Sequence, residues 1–161
     1  MRYLELDTPS LLIDRERLMK NLNEMQSYAD AHGAALRPHT KTHKCPEIAK
    51  LQLAAGACGI AVAKVGEAEA MAAAGLDDIF IANEIVGEKK LRRIAALARH
   101  GVKLAFGVDT PCQVTAAEAV FAQEGVSVPV LIEIEVGENR SGILSEADFL
   151  ALLDAIRACP H

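Results

Sequence analysis

"CGIAVAKVGEAEAMAAAGLDDIFIANEIVGEKKLRRIAALARHGVKLAFGV", residues 58–108, is the stretch whose reading decides the fold. Three short apolar runs, "CGIAVA", "DIFIA" and "VKLAFGV", alternate with "KVGEAEAMAAAG" and "GEKKLRRIAALARHG", which end on Gly75 and Gly101. The runs are strand-sized and nearly continuously apolar, the pattern of strands buried on both faces. The longer stretches have helical length, and each closes on glycine, which takes the left-handed backbone beyond a helix end without steric penalty. Strands alternating with helices in this way predict a parallel sheet built from βα units.

The pattern extends in both directions. Upstream, "AALRPH" precedes a helix opened by Pro46, with Ile48, Leu51 and Ala55 on its inner face and Gly56 at its stop. Before it, "SLLID" at 10–14 reads as a strand, followed by a helix with Leu18, Leu22, Met25 and Ala29 on one face and Gly33 at its end. Downstream, "DTPCQVTAAEAVFAQEG" reads as a helix with Pro111 in its first turn and Gly125 at its end. It is followed by "VPVLIEIEV", the turn "GENRSG", and a helix capped by Ser145 with Asp148 at its third position. The repeating strands are expected to start near residues 34, 58, 78, 102 and 128, roughly 25 residues apart. Two architectures share this pattern: a five-stranded doubly wound sheet, and part of a (β/α)8 barrel of about 250 residues. On pattern alone the open sheet is favoured, because it would be complete at 161 residues.

Composition narrows the function classes. A net charge of −5 and a pI near 5.5 argue against a polyanion-binding protein. With 4% aromatics and no tryptophan, there is no stacking platform for bases or sugars. The cysteines Cys45, Cys58, Cys112 and Cys159 form no C-x-x-C pair. No apolar stretch approaches the roughly 20 residues that span a bilayer, and the N-terminus has no signal-peptide core. A soluble protein of the reducing cytoplasm is the expectation, with neither nucleic acid nor membrane as partner.

In parallel βα folds, function gathers at the carboxyl ends of the strands. Two stretches there are unusual: "HTKTHK" at 39–44, with His39, Lys41, His43 and Lys44, and "GENRSG" at 137–142, with Arg140 between two glycines. A lysine leaving a strand into a partly desolvated mouth, with other positive charges nearby, is pushed toward its neutral, nucleophilic form and can form a Schiff base. If the segment stays extended, His39, Lys41 and His43 share one face. A lysine facing an arginine suits a planar, anionic, carbonyl-bearing ligand. The plainer readings are a solvated turn at each place. A metal on His39 and His43 lacks a carboxylate or cysteine at suitable spacing. Glu67 and Glu69 read as helix-dipole residues, and Asn83 and Glu84 fall on the functional side with no role assigned.

Taken in order, "LDTPSLLIDRERL", "LRPHTKTHK", "GIAVAKVGEAEAMAAAGLDDIFIANEIVG" and "VLIEIEVGENRSG" resemble the D-threonine aldolase and D-serine dehydratase family of pyridoxal-phosphate enzymes, from about Leu4 to Ile143. The resemblance implies a (β/α)8 TIM-type barrel of the alanine racemase N-terminal kind, which displaces the open sheet. It implies that Lys41 carries pyridoxal 5'-phosphate, that Arg140 lies near the cofactor ring and its phenolic oxygen, and that His39 belongs to the cofactor surroundings. The implied activity is that of a lyase on D-3-hydroxy amino acids, foremost D-threonine to glycine and acetaldehyde. D-serine dehydratase and a non-catalytic pyridoxal-phosphate-binding barrel are the alternatives. Residues 1–161 would be the N-terminal part of the cofactor-binding barrel, with about five βα units. The later strands, and a C-terminal β-domain with the divalent-metal site, would be absent, leaving no metal site in this chain. The chain alone is then expected to bind the cofactor weakly and to lack turnover. A homodimer is a further expectation, since dimers are common in the family.

Overall fold

Residues 3–161 are described by a computed structural model. Helix α1 (Arg15–Ala31) begins where the Asp14 carboxylate accepts the Arg17 N–H at 3.1 Å. Pro46 opens α2 (Pro46–Ala55), and four βα units follow: β1 (Ile60–Val62) with α3 (Val65–Ala73), β2 (Asp78–Glu84) with α4 (Glu88–Arg99), β3 (Lys103–Val108) with α5 (Pro111–Glu124), and β4 (Val130–Ile132) with α6 (Glu146–Arg157). At the start of α5 the Gln113 side chain accepts from the backbone N–H groups of Asp109 and Thr110, at 2.8 and 3.1 Å, in a capping box with Thr110. Ser145 caps α6, its hydroxyl accepting the Asp148 N–H at 3.2 Å.

All strand pairs are parallel, and the sheet order is β1-β2-β3-β4. Each crossover therefore moves one place in the same direction. A doubly wound sheet reverses its order at a switch point so that helices cover both faces; this one does not reverse, and it is the wall of a βα barrel. The helices pack in chain order, α1 with α2, α3 with α4, α4 with α5 and α5 with α6. Ile79, Ile81, Leu104, Phe106 and Val108 point into the layer beneath them and are buried. There Phe106 meets Phe121 edge to face at 6.2 Å. Such burial stabilises by about 1.5–3 kcal/mol per large side chain.

Two expected strands fail in instructive ways. "SLLID" is not a strand: among the described residues no strand pairs with it, Leu11 is fully exposed, and Asp14 serves as the cap of α1. "AALRPH" is reduced to one parallel bridge, His39 with Ala61, supported by Cys58 N–H to Leu36 O at 2.9 Å and Ala61 N–H to Pro38 O at 2.8 Å. Pro38 has no N–H to give a ladder, and the chain turns at once into a short 3-10 turn, Thr40–Thr42. In α2 the buried residues are Ile48 and Ala49, whereas Leu51 faces outward. Below the sheet, at its amino end, Arg37 Nη1 reaches the Asp78 carboxylate at 2.7 Å and the Ile60 and Asp78 carbonyls at 3.4 and 3.3 Å.

Candidate functional site

The carboxyl ends of the strands form the mouth of the wall. His39 is still extended and paired with Ala61, but the backbone then turns, and His39 Nδ1 accepts the Lys41 N–H at 3.2 Å. Thr40 is fully buried and donates its hydroxyl to Ala61 O at 3.2 Å, which fixes the root of the turn. Lys41 is lifted clear of the sheet. Its side chain is exposed, and no hydrogen bond or ion pair reaches its ammonium among the described residues. The extended segment with His39, Lys41 and His43 on one face is therefore corrected to a turn, and the desolvated mouth around Lys41 to an open one.

The four basic side chains of this segment part company. His43 turns inward, its Nδ1 accepting the Cys45 N–H at 3.1 Å just before α2. Burial lowers its pKa, against the Gln52 side chain and the Cys45 backbone. Lys44 takes a left-handed backbone, φ +48°, and its ammonium lies 3.5 Å from the buried Glu67 carboxylate. Glu67 also accepts the Ala63 N–H at 2.8 Å, so it secures the entry to α3 and anchors Lys44 away from Lys41. Glu69 pairs instead with Arg93 on the outer surface. The His39 pKa is lowered, first by burial and then by the Lys41 ammonium, while Glu67 and the Ala61 backbone oppose the shift. A neutral His39 adds no charge to the lysine's surroundings.

Across the mouth, the chain beyond β4 folds back on itself. Ile134 bridges Ile143, Glu135 N–H donates to Ile143 O at 3.1 Å, and Ile143 N–H donates to Glu133 O at 2.9 Å. Between these pairs lies the Arg140 turn. The Glu135 carboxylate accepts the backbone N–H groups of Gly137 and of Arg140, the latter at 3.1 Å. Asn139 is left-handed at φ +54°, a conformation asparagine tolerates. Among the described residues the Arg140 guanidinium makes one ion pair, an exposed one with Glu138 at 3.2 Å, and its charge also helps to lower the Glu133 pKa.

Of the carboxylates that link these places, sequence reading put Glu84 on the functional side without a role and passed over Asp109 and Glu133. Glu84, Asp109 and Glu133 stand at the ends of β2, β3 and β4. Burial, and then the hydrogen bond with Glu133, raise the Glu84 pKa to about 7. Glu133 is lowered in turn by Glu84 and by Ser141, whose hydroxyl donates at 2.6 Å. The opposite directions are those expected of two neighbouring carboxyl groups of which Glu84 is the more readily protonated, and Glu84 Oε1 is buried with no hydrogen-bond partner among the described residues. Asn83 joins strand ends, its amide donating to Ala63 O at 3.0 Å. The signal available in sequence was the acidic residue recurring at the same phase after successive strands.

A parallel wall with all its crossovers in one sense, and, among the described residues, an unpaired lysine at the carboxyl end of the strand-like segment before β1, is a segment of a βα barrel. The family model described as alanine racemase, N-terminal domain, matches residues 13–161, and the chain belongs to that family. It is 45% identical over 155 residues to D-threonine aldolase from Arthrobacter sp, covering 96% of this chain and 41% of that protein. It is 40% identical over 158 residues to D-threo-3-hydroxyaspartate dehydratase from Delftia sp. (strain HT23), covering 98% and 41%. The crystal structure of D-threonine aldolase from Filomicrobium marinum superposes with a TM-score of 0.90 at 37% identity, covering 95% of this chain and 41% of that one. The chain thus spans about two fifths of the length of these relatives, as expected for a partial barrel. No helix among the described residues is long and apolar enough to cross a membrane.

Proposed function

We propose that this chain forms the lysine-bearing part of a pyridoxal-phosphate-dependent lyase acting on small D-3-hydroxy amino acids, with D-threonine aldolase as the favoured activity. The observation that carries the reading is Lys41 itself: a lysine at the strand mouth with no ion pair, while its neighbour Lys44 is tied to Glu67. These residues fit the aldehyde end of the cofactor. Lys41 would hold it covalently, neutral His39 would border it, and Arg140 would set a positive charge toward the oxygen on its ring. When bound, the cofactor supplies an electron sink for a bond broken at or next to the substrate's Cα. An arginine near the ring oxygen holds developing charge through a donor fork that keeps its proton at any working pH.

D-threonine is favoured as substrate on the 45% identity to the D-threonine aldolase; identity does not rank cleavage above loss of water, since the dehydratase at 40% stands above the 3-hydroxy-D-aspartate aldolase from Paracoccus denitrificans at 32%. Among the described residues, no group of three or more His, Cys, Asp or Glu side chains is arranged to hold a metal ion. A divalent ion is proposed to bind outside these 161 residues. The open mouth supports weak cofactor binding and no turnover by the chain alone.

The test is product analysis on a polypeptide in which this chain is joined to the unmatched part of the Arthrobacter aldolase. Glycine and acetaldehyde from D-threonine, abolished by Lys41→Ala, are the expected result. Turnover that survives Lys41→Ala, or ammonia and a 2-oxo acid as the only products, would overturn it.

A further inference from the structure

We propose that the Glu84–Glu133 carboxyl pair is a positioning device for Arg140, holding the 137–142 turn in place at the strand mouth through Ser141. Its relevance to catalysis rests on the role proposed above for Arg140; the mechanical claim does not.

The geometry is a chain of contacts from the sheet to the turn. The backbone of Glu133 is locked to β3 by its N–H donated to Val108 O at 2.9 Å, and to the returning strand by its carbonyl, which accepts from Ile143. Its side chain lies between Glu84 and the Ser141 hydroxyl. One residue further, Gly142 N–H donates to the Asp109 carboxylate at 3.1 Å. Both carboxyl groups lie beside Gly107: a Cβ there would stand in ordinary contact with Glu133 Oε2 at 3.4 Å and Glu84 Oε1 at 3.6 Å. The ion pair of the Arg140 guanidinium among the described residues is the exposed one with Glu138, and its charge also acts on Glu133 without a direct contact, so the backbone of the turn carries its placement.

Two carboxyl groups can share a hydrogen bond only while one keeps its proton. The groups facing Glu84 are Glu133 and Asp109, both acidic; those facing Glu133 are Glu84, Arg140 and Glu135. Among the described residues no ion pair reaches Glu84, so its ionisation sets like charges against each other. Glu133 is then pushed from Glu84, and the Ser141 link to the sheet loosens. Glutamine at position 84 would donate permanently to Glu133 and remove the dependence.

Hydrogen-exchange mass spectrometry of the 161-residue chain, at pH 6 and pH 8.5 with intrinsic rates corrected, reads this directly. In the wild type, protection of the peptide covering 135–143 is expected to fall at least fivefold at the higher pH, with the α4 and α5 peptides unchanged. Glu84→Gln should keep protection at both values, and Glu133→Ala should lose it at both, with retained far-UV circular dichroism confirming the fold. Wild-type protection that does not change with pH, or a Glu84→Gln protein that still loses it, would overturn the proposal. Borohydride trapping of pyridoxal phosphate on the same samples separates the two readings. Labelling centred on a lysine other than Lys41 overturns the cofactor assignment and leaves the exchange result standing.

Discussion

Replacing Gly142 by alanine should damage this protein more than the same change at Gly137, although both glycines flank the Arg140 turn at positive φ. Gly142 sits at φ +100°, and a Cβ built there lies 2.6 Å from Glu135 N and 2.8 Å from Ile134 C. Both are backbone atoms in a segment pinned by the Ile134–Ile143 bridge, so the turn, rather than its neighbour, must move. Left-handed backbone costs an L-residue roughly 1–2 kcal/mol. Moving the turn breaks the charge-assisted bond from Gly142 N–H to Asp109, a further loss of about 1.5–3 kcal/mol. The total, about 2.5–5 kcal/mol, is a large share of the usual stability of about 5–15 kcal/mol. For a chain of this length it lowers Tm by roughly 5–20 °C. Gly137, at φ +120° with no atom within 4 Å of its added Cβ, pays only the backbone term. Urea denaturation followed by far-UV circular dichroism measures both. Equal costs for the two variants, within about 0.5 kcal/mol, would refute the account of the packed turn.

Phe121→Ala removes a ring that is 1% exposed and packed edge to face on Phe106, and should cost about 3–5 kcal/mol in the same assay, whereas Leu150→Ala at an exposed site should change stability by less than about 0.5 kcal/mol. Gly59→Ala would place a Cβ 2.1 Å from Arg37 Nη1, so it and Arg37→Met each disrupt the Arg37–Asp78 pair. With both side chains about a third exposed, each change should cost roughly 1–2 kcal/mol after solvent screening, and a double-mutant cycle should show them to be non-additive. Glu84, raised to about 7 in the folded chain, keeps its proton between pH 4.5 and 7 while the unfolded chain has lost it. Its contribution to stability is therefore full below pH 4.5 and declines as pH rises toward 7. Subtracting the Glu84→Gln stability profile from that of the wild type should isolate this decline; a flat difference would contradict it.

The helices were legible because their ends are written locally. Proline at 46 and 111, serine at 145 and glycine at 75, 101 and 125 act through the geometry of single residues, and the structure places helix ends at each. Strands depend on partners that local sequence does not contain. "SLLID" has the composition of a strand but finds no neighbour, and "AALRPH" keeps only the His39–Ala61 bridge. The choice between open sheet and barrel wall lay beyond periodicity for the same reason: both alternate strand and helix, and only the order β1-β2-β3-β4 separates them. Resemblance to a family supplied what the pattern could not. At the mouth, Lys41 and Arg140 stood out by residue type, but the partition of the basic segment did not. His43 turns inward and Lys44 pairs with Glu67, 23 residues away in sequence, through a backbone turn that alternation cannot anticipate. Glu84, Asp109 and Glu133 were unremarkable one by one; parallel strands in register bring their ends together.

The central claim is that Lys41, and not its neighbours, is the cofactor-bearing amine. The most direct measurement is borohydride reduction of the chain mixed with pyridoxal 5'-phosphate, followed by peptide mapping in the wild type, Lys41→Ala and Lys44→Ala. The account gives a single dominant adduct on Lys41, absent from the first variant and retained in the second. An adduct centred on Lys44, or spread evenly over Lys44, Lys64 and Lys89, would contradict it.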